Sequence, residues 1–295
     1  MPEMPELEGV ADFLRRTVVG ARIAEVGVAA ISAVKTADPP ITDVVGHRVD
    51  EVLRRGKWLL LRVDAAPPVH IGFHLSRAGW LVWRATPPAR PVGLRQGPLA
   101  IRITFVDDDG TLVGAADLTE AGTQKRLAVH VVRRPDDIPA VARLGPDPLA
   151  DGVSLAQLRD ILHAQGGRHL KSALRDQTVL AGIGNAYSDE ILHAARLSPA
   201  ARCDALDDDQ TAALHAAAVS VLTAAVQRAV GHPPSALKDG KRSTMAVHGR
   251  TGSPCPVCGD TIAGVASADS SYQYCPTCQT GGRRLADRRM SRLLK

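Results

Sequence analysis

Apolar side chains recur at helical spacing close to the start of the chain. The residues that share this spacing are Leu7, Val10, Phe13 and Leu14. Pro5 precedes them, and proline is well suited to the first turn of a helix. The pattern therefore predicts one amphipathic helix over residues 5–17.

From about residue 20 to residue 135 the pattern changes to short apolar segments that are punctuated by Gly, Pro and Asp. Such spacing is typical of an all-β sandwich or barrel. The segments that we predict as strands are 21–28, 48–53, 58–63, 79–83, 100–105 and 127–132. Residues 133–148 contain four prolines and indicate a linker.

Helical spacing returns after this linker. The predicted helices are 154–164, 170–176, 188–195 and a long Ala-rich helix over 207–230. Residues 231–244 are polar and rich in Gly and Pro, so we expect them to be mobile. At the end of the chain a short amphipathic helix is predicted from the spacing of Ala286, Met290, Leu293 and Leu294.

The composition of the 295 residues is that of a folded protein, because 45% are hydrophobic and 23% are charged. Only 3% are aromatic, so we expect a core of Val, Leu, Ile and Ala. No apolar run reaches the ~18 residues of a membrane span, and the first residues lack the features of a signal peptide. We therefore expect a cytoplasmic protein without a membrane partner.

The formal net charge is +5, and its location is more informative than its size. Residues 283–295 contain six Lys or Arg and one Asp, so this basic tail alone carries the whole excess. A prediction of nucleic-acid binding must therefore rest on local motifs and not on the overall charge.

Two Cys-X-X-Cys pairs are the strongest structural signal. Cys255 and Cys258 are followed, after sixteen residues, by Cys275 and Cys278. Four thiolates at this spacing can surround one zinc ion and leave no open position for catalysis, so the zinc should be structural. A redox site would need only one pair. Cys203 stands alone, so the cysteines do not form a disulfide framework.

The N-terminus offers a second chemical feature, because removal of Met1 would expose the secondary amine of Pro2. With a pKa near ~8, roughly a tenth of such an amine is neutral at pH 7 and can act as a nucleophile. Attack on an aldehyde-level carbon would give an iminium, which is an effective electron sink. Taken alone, Met-Pro is only a permissible start, and Glu3 and Glu6 only complement a helix dipole.

Two glycine-containing segments are further candidate sites. Gly56 permits a tight turn from which Lys57 would project, although a solvated hairpin tip has the same sequence pattern. Gly182 and Gly184 interrupt two helical patterns just before Asn185. Free backbone N–H groups at such a helix start can hold a phosphate, whereas an ordinary helical hairpin with a glycine C-cap would hold none.

Taken together and in order, these elements resemble the formamidopyrimidine-DNA glycosylase/endonuclease VIII family of base-excision repair enzymes. The similar segments are Pro2-Glu3-Met4-Pro5-Glu6, Gly56-Lys57, residues 144–149, Lys171, Asp176-Gln177, Gly182-Ile183-Gly184-Asn185-Ala186-Tyr187, Asp189-Glu190 and Val247-His248-Gly249-Arg250. The resemblance implies a multidomain α+β fold. An N-terminal helix and β-sandwich would precede a C-terminal helix-two-turn-helix domain with a four-Cys zinc ribbon.

The resemblance and the composition together suggest domain boundaries. We expect a catalytic β-sandwich domain over 1–135, a linker over 136–148 and a helix-two-turn-helix domain over 149–244. The zinc ribbon would occupy 245–282, and the basic tail 283–295.

The family's activity implies roles for named residues of this chain. Pro2 would displace the damaged base of a flipped-out nucleotide, Glu3 would open the sugar, and Lys57 would serve as general acid and phosphate contact. The strand would then be cleaved by β-elimination. The expected partner is damaged double-stranded DNA, gripped between the two domains of a monomer. The DNA-binding residues would be His74, Arg77, Lys125, Arg126, Lys171, Gly184, Asn185, Tyr187 and Arg250.

The chain departs from the family pattern around the damaged base. Arg77 stands where the family has a Met that fills the void in the stack, and its guanidinium would either stack on the orphaned base or only touch phosphate. The family's Arg-Phe wedge has no clear counterpart, although Lys125 and Arg126 lie nearby in sequence. Ser270 replaces an arginine that clamps phosphates and is linked to δ-elimination, so both functions should weaken.

The expected function is a bifunctional glycosylase for oxidised bases, and the N-terminal signature favours oxidised purines. Three alternatives stay open: a glycosylase for oxidised pyrimidines, a damaged-DNA-binding protein that does not cut, and a zinc-ribbon module of a transcription or RNA-processing factor. The last would explain only residues 245–282. The tail arginines Arg288, Arg289 and Arg292 would either reach DNA phosphates or remain in solvent.

Overall fold

A computed structural model describes residues 2–94, 97–266 and 271–285, and contacts between residues divide the chain into two units. One unit comprises Met1–Arg143 and Val226–Lys238, and the other comprises Leu144–Ala225 and Asp239–Lys295. The predicted domain boundaries stay predictions. Ser270 and the predicted tail helix, with Arg288, Arg289 and Arg292, lie outside the described residues.

The first unit begins with the predicted helix. Helix α1 spans Met4–Val18, with a proline in its first turn and two arginines in its last turn. Its buried residues include Leu7, Val10 and Leu14, which are the positions that the spacing assigned to the core. The prediction of an amphipathic helix is therefore confirmed.

Two four-stranded antiparallel sheets form the β-sandwich of this unit. The strands are β1 (Arg22–Val28), β2 (Val49–Arg55), β3 (Trp58–Val63), β4 (Val69–His74), β5 (Gly79–Arg84), β6 (Leu99–Val106), β7 (Leu112–Glu120) and β8 (Ala128–Val132). One sheet has the order β1-β6-β7-β5, and the other has the order β2-β3-β4-β8. All six predicted strands are present, whereas β4 and β7 were not predicted.

The core of the unit lies between the sheets and extends to α1. It is mainly aliphatic, as the low aromatic content predicted, and includes Leu14, Leu59, Leu61, Ile71, Ile101, Leu118 and Val131, with Phe73 and Phe105. Burial of such side chains stabilises the fold by roughly 25 cal/mol for each Å² of apolar surface removed from water. Part of the predicted linker is folded, because helix α2 covers Pro139–Ala142 and the fully buried Ile138 lies against Gly72 of β4.

The second unit is largely helical. Its elements are α3 (Leu155–His163), α4 (Leu170–Arg175), α5 (Asn185–Ala194), most of α6 (Asp208–Ala229), part of α7 (Pro234–Thr244), the strands β9 (Ala263–Ala266) and β10 (Ser271–Tyr274), and α8 (Pro276–Thr280). Ser154 caps α3, because its hydroxyl accepts a hydrogen bond from the Gln157 N–H at 3.2 Å. The strands β9 and β10 pair antiparallel and form the two-stranded ribbon.

Helix α7 covers most of residues 231–244, for which the sequence pattern predicted no helix, and the expectation that this segment is mobile stays a prediction. Pro234 stands in the first turn, and the indole N–H of Trp80 donates a hydrogen bond to its carbonyl at 3.1 Å. Leu237 is buried in the core of the first unit. A buried anchor of this kind orders a polar segment that its composition alone assigns to a loop.

Helix α6 is long and apolar enough to cross a membrane by length and composition alone. The expectation that no segment reaches this length was therefore too strict. The helix also has buried positions, including Leu214 and Leu222, and core helices of soluble proteins meet the same criterion. Length and composition do not separate the two cases.

Candidate functional site

The N-terminal residues of the first unit are buried around the start of α1. Pro2 and Glu3 are both buried, and the backbone N–H of Glu3 donates to the Glu6 carboxylate at 2.8 Å. Glu6 thereby satisfies one of the N–H groups that the first turn of a helix leaves unpaired. The arrangement fixes the chain direction at the point where Glu3 leads into α1.

The second predicted element is the tight turn between β2 and β3. Arg55 pairs with Trp58, so Gly56 and Lys57 form a two-residue hairpin turn. Gly56 has φ 53°, a left-handed conformation that glycine adopts without steric cost. Lys57 is only 6% exposed, so the alternative interpretation, a hairpin tip in solvent, is wrong. A buried lysine has a reason beyond solubility.

Lys57 and His74 lie in one neighbourhood. The Trp58 ring is 5.1 Å from the His74 ring, and burial, with a smaller contribution from the positive charge of Lys57, lowers the pKa of His74 to about 4. The backbone N–H of Ser76 points to Nδ1 of His74 at 3.2 Å, so that nitrogen is an acceptor. His74 is therefore a neutral imidazole at neutral pH and adds no positive charge beside Lys57.

The loop that follows His74 is a tight turn that presents Arg77. Ser76 has φ 56°, and a Cβ at position 79 would lie 1.9 Å from the carbonyl oxygen of Leu75, so Gly79 is required for this close approach. Arg77 itself is exposed at the tip. The loop thus leaves the guanidinium of Arg77 accessible to a ligand.

Lys125 and Arg126 lie on another loop, which is organised by a buried carboxylate. Glu120 accepts hydrogen bonds from the N–H groups of Arg126 and Leu127 at about 3 Å, and the ammonium of Lys125 donates to the carbonyl of Glu120. Both basic residues are exposed. The hydrogen bonds from Lys125 and Arg126 to Glu120 stabilise the conformation of this loop.

In the second unit, Gln177 builds the glycine-containing turn before α5. Its side-chain amide donates to the carbonyl of Ile183 at 2.8 Å and accepts from the N–H of Gly182 at 2.9 Å. Gly184 is the N-cap residue of α5, and Asn185 is its first residue. The turn therefore presents the positive end of a ten-residue helix, as the phosphate-binding interpretation requires.

A buried ion network lies beside this helix start. The ammonium of Lys171 donates to the carboxylate of Asp189 and lies 3.4 Å from the carbonyl oxygen of Asn185. The other oxygen of Asp189 lies 2.8 Å from Nδ1 of His248. Lys171 and Asn185, both predicted DNA contacts, are thus brought together. Lys171 is also buried, which its sequence motif did not indicate.

Tyr187 and Arg250, the remaining predicted DNA contacts, lie near the same segment. Tyr187 is buried, and the ammonium of Lys241 lies 4.5 Å from the centre of its ring. Arg250 donates a 3.4 Å hydrogen bond to the carbonyl of Met245. Their roles in binding stay predictions.

The four cysteine sulfur atoms converge at one point of the ribbon. All four Sγ atoms lie within 4.8 Å of one another, with 3.9 Å between Cys255 and Cys278 and 3.3 Å between Cys258 and Cys275. A tetrahedral zinc site with bonds of about 2.3 Å needs sulfur separations of roughly 3.8 Å. The donor set therefore fits one structural zinc ion with no open coordination position.

Two residues that the sequence motifs did not single out as functional attach the ribbon to α5. The Glu190 carboxylate accepts hydrogen bonds from the N–H groups of residues 246, 247 and 248 at 2.7, 3.0 and 2.8 Å. Nε2 of His193 lies 3.3 Å from Sγ of Cys255. A thiolate bound to zinc can only accept, so His193 is the donor. Burial alone would raise the pKa of Cys255, but N–H donors, His193 among them, lower it to about 6.

Three family models match consecutive parts of the chain. The formamidopyrimidine-DNA glycosylase N-terminal domain matches residues 1–123, and the formamidopyrimidine-DNA glycosylase H2TH domain matches residues 144–233. The zinc finger found in FPG and IleRS matches residues 252–281. The last match covers all four cysteines and agrees with one structural zinc ion.

Two curated proteins illustrate the similarity. A formamidopyrimidine-DNA glycosylase of Symbiobacterium thermophilum is 35% identical over 289 residues, which are 95% of this chain and 89% of that protein. An uncharacterized formamidopyrimidine-DNA glycosylase-like protein of Mycobacterium tuberculosis is 57% identical over 157 residues, which are 53% of this chain and 98% of that protein.

Solved structures share the fold over nearly the whole chain. The MutM (Fpg) protein of Thermus thermophilus has a TM-score of 0.78 at 29% identity, and the match covers 96% of this chain and all of that one. Lactococcus lactis Fpg, bound non-covalently to DNA that contains an AP site, has a TM-score of 0.79 at 22% identity. That match covers 94% of this chain and 99% of that one.

Proposed function

Because this chain belongs to the formamidopyrimidine-DNA glycosylase family, we propose that it removes oxidised bases from duplex DNA and cleaves the strand at the resulting abasic site. The observation that carries the proposal is the burial of Pro2, Glu3 and Lys57 in one unit of a chain with this family's fold. A protein that only binds DNA has no need of all three. The relatives are bacterial proteins, so the cytoplasm with its nucleoid is the proposed location.

In the proposed reaction, the damaged nucleotide first leaves the base stack, because its C1′ atom cannot be reached inside the duplex. After Met1 is removed, the amine of Pro2 attacks C1′. The glycosidic bond breaks, and its electron pair leaves with the base, which takes up a proton. Glu3 gives a proton to the ring oxygen as the sugar opens, and an iminium forms between Pro2 and C1′.

Strand cleavage follows from the chemistry of this iminium. Its positive nitrogen withdraws electrons, so C2′ loses a proton and the C3′–O bond breaks with departure of the phosphate. Water then hydrolyses the iminium and frees Pro2. We assign Lys57 to proton donation and phosphate contact in these steps. Its neighbour His74 is neutral and adds no positive charge that would compete with Lys57 for the phosphate.

The proposed DNA contacts fall into two groups. In the first unit they are His74, Arg77, Lys125 and Arg126, and in the second unit they are Lys171, Gly184, Asn185, Tyr187 and Arg250. The α5 start supports a phosphate contact, because backbone N–H groups and the helix dipole both favour an anion there. The exposed guanidinium of Arg77 supports contact with the orphaned base or its phosphate.

We propose oxidised purines as the preferred substrates, on the Pro-Glu-Met-Pro-Glu signature alone. Oxidised pyrimidines are the alternative, and a panel of duplexes decides between them. With a serine at position 270, strand cleavage should stop after β-elimination and leave the ends of that step only.

Borohydride trapping tests the proposed function. The protein with Met1 removed is mixed with duplexes that carry an abasic site, 8-oxoguanine, formamidopyrimidine or thymine glycol, and reduction of the iminium should link protein to DNA. Mass spectrometry should place the adduct on the peptide that begins with Pro2. Pro2→Gly should greatly reduce the yield.

A matched control keeps Pro2 but blocks its amine with an uncleavable N-terminal extension. This protein should bind the abasic duplex and fail to form an adduct. Trapping that is unchanged by Pro2→Gly, or that persists with the blocked amine, would refute the Pro2 mechanism. Tight DNA binding without any adduct would favour a damage-binding protein that does not cut.

A further inference from the structure

Arg54, which lies two residues before Gly56, has a buried side chain with only 5% exposure. Its Nε donates to Oε2 of Glu8 at 2.6 Å, and one terminal nitrogen donates to the carbonyl oxygen of Gly56 at 3.0 Å. A guanidinium is a planar fork that can serve two acceptors at once. Arg54 therefore joins α1 to the turn that carries Lys57.

Glu8, the partner of Arg54, is itself held on α1. Its second oxygen accepts a hydrogen bond from Arg15 at 2.7 Å. The Nε of Arg15 also donates to the carbonyl of Val52 in β2 at 3.0 Å. Burial alone would raise the pKa of Glu8, but hydrogen bonds from Arg15 and Arg54 hold it below its ordinary value. The carboxylate therefore stays ionised at neutral pH.

The bond to Gly56 acts on Lys57 through the geometry of the peptide. The carbonyl of Gly56 and the nitrogen of Lys57 belong to the same planar peptide unit. A donor that holds this carbonyl therefore also restrains the orientation of the peptide plane that ends at the Cα atom of Lys57, from which its side chain leaves. Gly56 alone supplies no such restraint, because glycine has the widest choice of backbone conformations.

We propose that Arg54, anchored by Glu8, is a positioning residue that fixes the Lys57 side chain relative to the N-terminal helix. The inference rests on the proposed function, in which Lys57 acts on the nucleotide that Pro2 attacks. Arg54 is not a catalytic residue in this scheme, because it acts through the peptide of Gly56. A lysine in its place keeps the charge but cannot serve Glu8 and Gly56 in the same way.

The test is a double-mutant cycle on strand cleavage at a single abasic site, measured under single-turnover conditions with DNA saturated by protein. Arg54→Lys should lower the cleavage rate by roughly tenfold or more, as expected for a displaced catalytic group. Glu8→Gln should act in the same direction. In a Lys57→Ala background, Arg54→Lys should change the remaining rate by less than about twofold, because its target is gone.

Arg102→Lys is the matched control. Arg102 is another largely buried arginine of the same unit, and it lies in the sheet that does not contain Arg54. Its guanidinium donates two hydrogen bonds to Asp117 of the neighbouring strand at 2.6 and 2.8 Å. This variant should lose thermal stability but keep the cleavage rate of the parent. An equal rate loss in both variants would show that the effect is general destabilisation, and would overturn the proposal.

A second measurement does not require activity. The Lys57 side-chain signal in a spectrum of ¹³C-labelled lysine should shift in Arg54→Lys, which itself adds one lysine signal, while the signal of Lys35, whose ammonium donates to the carbonyl of Ser32, stays in place. An unchanged Lys57 signal overturns the inference, whether or not the protein cuts DNA. Absence of trapping in the parent with a shifted Lys57 signal would instead refute the proposed function and leave the positioning intact.

Discussion

His74 should make the stability of the first unit depend on pH in a way that can be calculated. Burial, together with the charge of Lys57, lowers the pKa of His74 to about 4 from an ordinary value of 6.5. The unfolded chain therefore binds a proton at this site below about pH 6.5, whereas the folded chain binds it only near pH 4. The free energy of unfolding should fall as the pH drops through this window.

The two pKa values set the size of the effect. A tenfold change in proton affinity corresponds to about 1.4 kcal/mol, so the full difference amounts to roughly 3 kcal/mol once the pH is below 4. At pH 5 the loss should be about 2 kcal/mol relative to pH 7.5. His74→Asn removes this component, and the amide oxygen of asparagine can still accept the hydrogen bond from Ser76 that Nδ1 accepts.

Two measurements check the calculation. The free energy of unfolding is measured in urea for the parent and for His74→Asn at pH 7.5 and at pH 5. Between these pH values the parent should lose about 2 kcal/mol more of this free energy than the variant loses. Acid release of zinc affects both proteins alike and cancels. His232→Asn, a change at an exposed histidine, serves as the control.

A direct titration is the sharper test. The His74 ring proton, followed by NMR, should titrate near pH 4. A midpoint at pH 6 or above would refute the burial argument, and with it the conclusion that His74 adds no positive charge beside Lys57.

The remaining predictions concern the metal site and one buried ion pair. Cys258→Ser should reduce bound zinc below one ion per chain. His193→Phe should shift the charge-transfer absorption of the cobalt-substituted protein, because His193 contacts Sγ of Cys255. The control is His215→Phe, which should leave this absorption unchanged, because the ring nitrogen of His215 contacts the carbonyl of Val153. Asp117→Asn should lower the free energy of unfolding at pH 7 by about 3 kcal/mol, because Arg102 loses its buried partner. Burial tends to raise the pKa of Asp117, but Arg102 and Arg84 hold it below its ordinary value. The stability difference between the parent and Asp117→Asn should therefore become smaller only at acidic pH, where Asp117 of the parent is protonated. Equal stability of this variant at pH 7 would contradict the ion-pair argument.

Local sequence signals were sufficient where an element is held by its own residues. Helix α1 follows from the spacing of Leu7, Val10 and Leu14, and β3 has the bounds that its apolar run indicates. Strand β7 was missed because five consecutive residues are buried, so apolar and polar positions do not alternate with a period of two. Several of these buried residues are also small or polar. Strand β4 contains two histidines and a glycine, which dilute the signal in the same way.

The candidate site shows the same limit. The four cysteines are predictable because their spacing encodes the tetrahedron. Glu190 accepts hydrogen bonds from three N–H groups that lie 56 to 58 residues further along the chain, and His193 is 62 residues from Cys255. Glu190 stands in a segment that resembles the family, but no local pattern indicates which distant groups Glu190 and His193 contact. Lys57 illustrates the converse, since its motif was visible but its burial depends on the packing of the whole unit.

Helix α5 connects the four-cysteine site to the turn that we propose to bind phosphate. Asp189 and His193 are four residues apart and therefore lie on one face of the helix, with Glu190 beside them. This face holds the ribbon through His248, through the 246–248 backbone and through Cys255. The same helix begins at the turn proposed to bind phosphate. Because a short helix moves as a rigid rod, we expect loss of the metal to release the restraints along its length and to weaken the proposed anion site at its start.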